Sequence, residues 1–225
     1  MRGLRSPVLY ACVVVAALGL ASAAGAASAA DPYAELLAPS GTCGPAADQL
    51  GLDGATAQTA MQCLTNYARA QQGLAPLQLN ATLNAAGQTK LKSNISCAEF
   101  SHTPCGQPFD TVFSSYVQGA TSYQIGENIA WGTGSYGTPR QAMNGWVHSA
   151  GHRENILTAA YAELGIGYLP SQAFQGYDGA TLWSQEFGLR TPSAGAPSTQ
   201  KPALKTKPKK KRSSRLHRSS AHSRA

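Results

Sequence analysis

The chain has 225 residues, 43% of them hydrophobic, with a formal charge of +7. That length, less its two polar or processed ends, suits one domain around a single core. The charge is segregated: residues 31 to 190 hold all eleven acids against six bases, a formal charge of −5, whereas residues 191 to 225 hold ten bases and no acid. The high pI therefore belongs to the ends of the chain, and no aromatic interleaves the basic tail, which excludes sequence-specific nucleic-acid reading by stacking.

At the N-terminus, Arg2 and Arg5 precede an apolar run from Val8 to Leu20 and then small residues through Ala30. This reads as an export signal over residues 1–30, cleaved after Ala29 or Ala30. The apolar run is too short for a membrane span. Cys12 leaves with the signal, so four cysteines remain: Cys43, Cys63, Cys97 and Cys105. An even number in an exported chain favours two disulfides. Of the three pairings, sequence closeness favours Cys97 with Cys105, which leaves Cys43 for Cys63. A Cys/His zinc site is the rival, but no C-x-x-C pair is present.

Residues 31–56 then form an N-terminal segment tied by the first disulfide. Ala57, Met61, Leu64 and Ala68 recur at helical spacing, and Gly73 and Pro76 end that helix. Asn80 can cap a second helix with Leu83, Ala86 or Gly87, Leu91 and Ile95 inward. Pro108 with Phe109, Val112, Phe113 and Tyr116 predicts a third. Residues 122–131 alternate as a strand, residues 132–137 turn, and Pro139 opens a helix bearing Ala142, Met143, Trp146 and Val147. A loop is expected around Gly151, with His148 turned to solvent. Residues 164–168 and 182–189 predict two strands joined by a connection over residues 170–179. The fold class is α+β: a small, mainly antiparallel central sheet flanked by helices. After Arg190 the composition turns to Pro, Ser, Lys and Arg, which predicts a disordered basic tail over residues 191–225. In an exported protein such a tail is either a solvated extension or an anchor for an anionic wall polymer or membrane surface.

Three strings carry the chemistry: Phe100-Ser101-His102, Gly126-Glu127-Asn128, and residues 151–157 from Gly151-His152 to Leu157. They hold two imidazoles and a carboxylate too far apart for one helix, so any shared site must be assembled by the fold. That set suits proton transfer or a divalent cation.

In this order, with Trp146, Gly165-Ile166-Gly167 and residues 183–188 from Trp183 to Gly188, the strings resemble the CAP superfamily of cysteine-rich secretory proteins, antigen 5 and pathogenesis-related proteins, in its compact bacterial form. The resemblance implies an α-β-α sandwich over residues 57–190. It also implies a cleft lined by His102, Glu127 and His152, with Gln185 projecting into it. Where many relatives carry a second acid after the first histidine, residues 103–108 offer only Gln107, and Asp110 sits later.

Two readings of the cleft follow. His102, Glu127 and His152 could hold zinc with an open position and serve a catalytic role, or Glu127 could accept hydrogen bonds from the histidines with no metal. The expected function is accordingly a secreted, non-catalytic extracellular module that binds a lipid, cell-wall or protein ligand. Its alternative is a metal-assisted hydrolase of peptide or wall material using His102, Glu127 and His152. No Gly-x-Ser-x-Gly elbow or His-Glu-x-x-His string supports a known hydrolase arrangement.

Overall fold

A computed structural model describes residues 30–193. The expected export signal and most of the basic tail lie outside the described residues. The first long helix, α1 (Gly54–Gln71), starts where the Asp53 carboxylate accepts the Thr56 amide at 2.9 Å. Its apolar stripe of Ala57, Met61, Leu64 and Ala68 is buried, as its spacing predicts. A two-residue strand, β1 (Gln78–Leu79), follows, and then α2 (Ala81–Ser96), capped by the Asn80 side chain on the amides of Thr82 and Leu83. The third predicted helix is a tight 3₁₀ turn over Phe109–Phe113 running into one turn of α-helix, α3 (Ser114–Val117).

The edge strand β2 (Ala120–Gly132) leads to α4 (Pro139–His148) and α5 (Ala150–Leu157). Ser149 adopts extended backbone between the two helices, and Gly151 lies inside α5 rather than in the expected loop. The hairpin β3 (Glu163–Phe174) and β4 (Tyr177–Pro192) completes the sheet. Most of the expected 170–179 connection is therefore strand. Register shifts on either side of Gln172, with Ser171 at φ 55°, let the ladder continue past Pro170 to a tight turn.

The sheet order is β1-β3-β4-β2, antiparallel except for β1 against β3. Adjacent residues of β4 show which helix covers which face, because side chains alternate along a strand. Gln185 bonds Thr65 of α1, while Ser184 meets Gly87 of α2. Helices on both faces give the α-β-α sandwich that the sequence predicts. The α1 and α4 face holds the main apolar core, including Met61, Leu64, Trp146, Ile166, Trp183 and Phe187. On the opposite face, α2 lies almost on the backbone of β3: a Cβ on Gly165 would stand 2.1 Å from the Leu83 carbonyl carbon. No side chain fits there, so this layer can close only on glycine.

Both expected disulfides are present, Cys43–Cys63 and Cys97–Cys105. The first ties the N-terminal segment to α1, and the second closes the loop that carries His102. Each removes loop entropy from the unfolded chain, typically worth about 2–4 kcal/mol.

Candidate functional site

The site is built on β2, an open edge of the sheet, by segments that arrive from both helical layers. Between α2 and the short helical turn after it, the 97–105 loop is held at several points. Ser101 exchanges backbone bonds with the Asn94 side chain at 2.8 and 3.2 Å, and Lys90 donates to the His102 carbonyl. The His102 ring therefore has little freedom. Its Nδ1 lies 2.6 Å from Glu127 Oε1 on β2, with 46% of the His102 side chain exposed and none of the Glu127 side chain. An ionised carboxylate can only accept, so Nδ1 carries the proton and Nε2 is left as the ring's acceptor.

Lys90 completes this arrangement from below. It sits on the inner row of α2 with Leu83, Ala86, Gly87 and Leu91, and its Nζ stands 3.3 Å from Glu127 Oε2. Glu186 faces Glu127 directly across the β2/β4 ladder and is fully buried. Burial, and then the neighbouring Glu127 charge, push the Glu186 carboxyl well above the usual carboxylate range. Among the described residues, neither Glu186 oxygen, nor Glu127 Oε2, nor Ser184 Oγ has a partner at regular hydrogen-bond geometry, although these groups lie close together.

His152 comes from the other layer, on α5. Its ring centroid is 6.4 Å from that of His102; burial lowers its pKa, and so does repulsion whenever His102 is protonated. The asparagines of the two strings lock the layers together. Asn155 Nδ2 donates to the Glu127 carbonyl at 3.0 Å and to Asn128 Oδ1 at 2.9 Å, and Asn128 Nδ2 donates to the His152 carbonyl at 3.0 Å. A Cβ on Gly126 would meet the Tyr161 hydroxyl at 2.4 Å and Asn155 Oδ1 at 2.9 Å, so any larger residue there must displace the Asn155 side chain that joins the layers.

Of the expected trio, His102 and Glu127 are in contact, and His152 approaches His102 rather than the carboxylate. Gln185 does not project into the cleft. It is fully buried, accepting from Asn128 at 2.9 Å and donating to Thr65 Oγ1 at 2.7 Å, because its strand position faces α1. His148 is also not simply solvent-directed: Nδ1 donates to the Asn144 carbonyl at 2.8 Å and Nε2 meets Asp31 at 3.0 Å. Both contacts raise its pKa, the carbonyl most. The second carboxyl beside Glu127 comes from β4, as Glu186, and not from the loop after His102. Lys90 and Glu186 carried a sequence signal, since each is an ionisable residue at a core-facing position of its element.

A divalent ion held by all three expected residues would need Glu127 as a ligand. One carboxylate oxygen bonds the His102 ring, and the other, without a partner at regular hydrogen-bond geometry, has the Lys90 ammonium 3.3 Å away. Among the described residues no group of three or more His, Cys, Asp or Glu side chains converges as a metal set, so the three-ligand zinc arrangement does not fit this geometry. Alongside His152 runs an open cavity of about 320 Å³, lined by Phe100, Trp131, Tyr136, Gly145, Ser149 and His152 among others. Its walls are mainly apolar, and Tyr136 and Phe100 are exposed at 73% and 43%.

An α-β-α sandwich with a histidine–carboxylate pair at an open sheet edge defines the class of protein. Residues 63–187 match the Cysteine-rich secretory protein family, CAP, and the chain belongs to that family. Over 126 residues it is 36% identical to the uncharacterized protein YkwD of Bacillus subtilis strain 168, and over 108 residues 32% identical to the uncharacterized membrane protein YlbC of the same strain. Those matches cover 55% and 46% of this chain but 44% and 29% of the relatives, so it spans less than half the length of either. Solved structures similar to it include an extracellular SCP-domain protein from Bacillus anthracis, at 22% identity and TM-score 0.47 over 62% of this chain and 44% of that one. Another is an outer surface protein from Borrelia burgdorferi, at 18% identity and TM-score 0.47 over 56% of this chain and 87% of that one.

Proposed function

We propose that this domain is an extracellular binding module whose groove takes the apolar part of a small lipid, with His152 at the groove's polar end. The observation that carries this reading is the division of labour in the cleft. The carboxylate faces His102 and Lys90, while the accessible surface beside His152 is an aromatic-lined cavity. Ligand sites commonly have this composition, apolar walls with a few placed polar groups.

Trp131 on the cavity wall supplies a readout. A single-chain lysophospholipid titrated below its micelle concentration should change the tryptophan fluorescence saturably. Gly145→Phe, which fills the groove from a helix position with no heavy atom within 4 Å of the new Cβ, should weaken binding at least tenfold without unfolding the protein. Binding that is unchanged in this variant would place the lipid elsewhere.

The nearness of the two imidazoles supports a second reading, an extracellular hydrolase of peptide or wall material. Under it, cleavage of a peptide and peptidoglycan panel should vanish in His152→Ala while the thermal transition persists. Secretion rests on the export-type signal at residues 1–30, and among the described residues no helix is long and apolar enough to cross a membrane. The ten bases after residue 190 support a role in holding the protein to an anionic wall polymer or membrane surface. Deletion of residues 194–225 and raised salt should then release it equally.

A further inference from the structure

A buried carboxylate keeps its charge only where a cation or several donors face it. Glu127 has one imidazole donor and one ammonium, and the side chains of Lys90 and Glu127 are 2% and 0% exposed. Long basic side chains at such positions ordinarily carry their charge out to water along the apolar surface. Lys90 does the opposite. Its ammonium lies beneath the site, against Glu127 Oε2 and the His102 carbonyl, and 5.4 Å from the Phe109 ring centroid. The β4 residues over it on this face, Ser184 and Glu186, contribute oxygens without regular partners. The same space thus contains two carboxyl groups and a single fixed cation.

We propose that Lys90 is the resident cation of the cleft: its ammonium holds the place at Glu127 Oε2 that a divalent ion would need in order to use this carboxylate as a ligand. Lys90 acts through Glu127 and is a positioning residue. A zinc ion approaching Oε2 would meet a like charge within contact distance, where little water screens the repulsion. Metal could reach Oε2 only by expelling Lys90 from its pocket. This goes beyond the binding reading, because it holds whatever fills the groove.

The test is a zinc chloride titration of the full chain, followed through the ring-nitrogen NMR signals of His102 and His152 so that His217 and His222 in the tail do not contribute. Lys90→Met, close in volume and uncharged, should raise zinc affinity at His102 at least tenfold. The double variant Lys90→Met/Glu127→Gln removes both charges and leaves neither unpaired. It should bind zinc as the wild type does. Wild-type binding at least tenfold tighter than the double variant would show Glu127 already serving as a ligand and overturn the proposal, as would a folded Lys90→Met with no gain. If Lys90→Met does not fold, the comparison of wild type with the double variant decides alone.

Discussion

Arg69 and Lys90 are both buried cations on helices that cover the sheet, yet they are satisfied in opposite ways. Arg69 is fully buried and donates only to backbone: to the carbonyls of Ala75, Ile156 and Thr158 at 2.9 Å each, and of Tyr161 at 3.4 Å. These acceptors cannot titrate or rotate away. The guanidinium thereby ties α1 to the connection between α5 and β3, and so fixes the layer that carries His152. Lys90 instead faces two carboxyl side chains, and several oxygens around it lack regular partners. A fixed acceptor set gives rigidity, and a titratable one lets charge be rearranged beside an exposed imidazole.

The largest effect should come from removing the rigid cation. Arg69→Ala leaves a void and strips the donors from several carbonyls, and should cost roughly 3–5 kcal/mol in urea unfolding. A loss below about 1 kcal/mol would mean that the carbonyl cradle contributes little and that the contrast with Lys90 is misplaced.

Next comes the titratable side. Glu127→Gln leaves an ammonium buried without its carboxylate and should cost about 3 kcal/mol. Lys90→Met/Glu127→Gln should lose less than Glu127→Gln alone, because the orphaned charge is gone. Additive losses in this cycle would show that the two groups do not interact.

The smallest effect concerns Glu186, whose carboxyl binds its proton more tightly in the folded than in the unfolded chain. Unfolding then releases a proton once the pH exceeds the ordinary glutamate value. Glu186 therefore contributes stability that is present at low pH and lost as pH rises toward its raised folded pKa, at no more than about 1.4 kcal/mol per pH unit. Glu186→Gln mimics the neutral acid and should flatten the stability profile as pH rises above the ordinary glutamate range. Identical profiles for variant and wild type would remove Glu186 from the charge balance.

Much of this architecture was legible in the residues. The α1 stripe and the Asn80 cap follow local rules, and the three strings around His102, Glu127 and His152 do mark one region of the fold; β2 forms where expected, but its burial runs from an exposed first half to a buried second half instead of alternating. What local pattern could not supply depends on partners distant in sequence. The two residues of β1 form a strand only by pairing with Glu163 and Leu164. Gly151 continues a helix because α5 is packed against α1, α4 and β2. Gln185 looked like a cleft residue until strand parity turned it toward Thr65. Lys90 reads as one surface base among several, although its place on the inner row with Leu83 and Leu91 is a signal that period analysis can catch.

The most direct measurement is the tautomer of His102, read from long-range proton–nitrogen NMR of the neutral ring with wild-type protein and no added metal. A carboxylate clasped by Lys90 must accept, so Nδ1 should carry the proton and Nε2 should be bare. A ring protonated on Nε2, with Nδ1 unprotonated, would mean that Glu127 is not its charged acceptor, and the account of the cleft would fail.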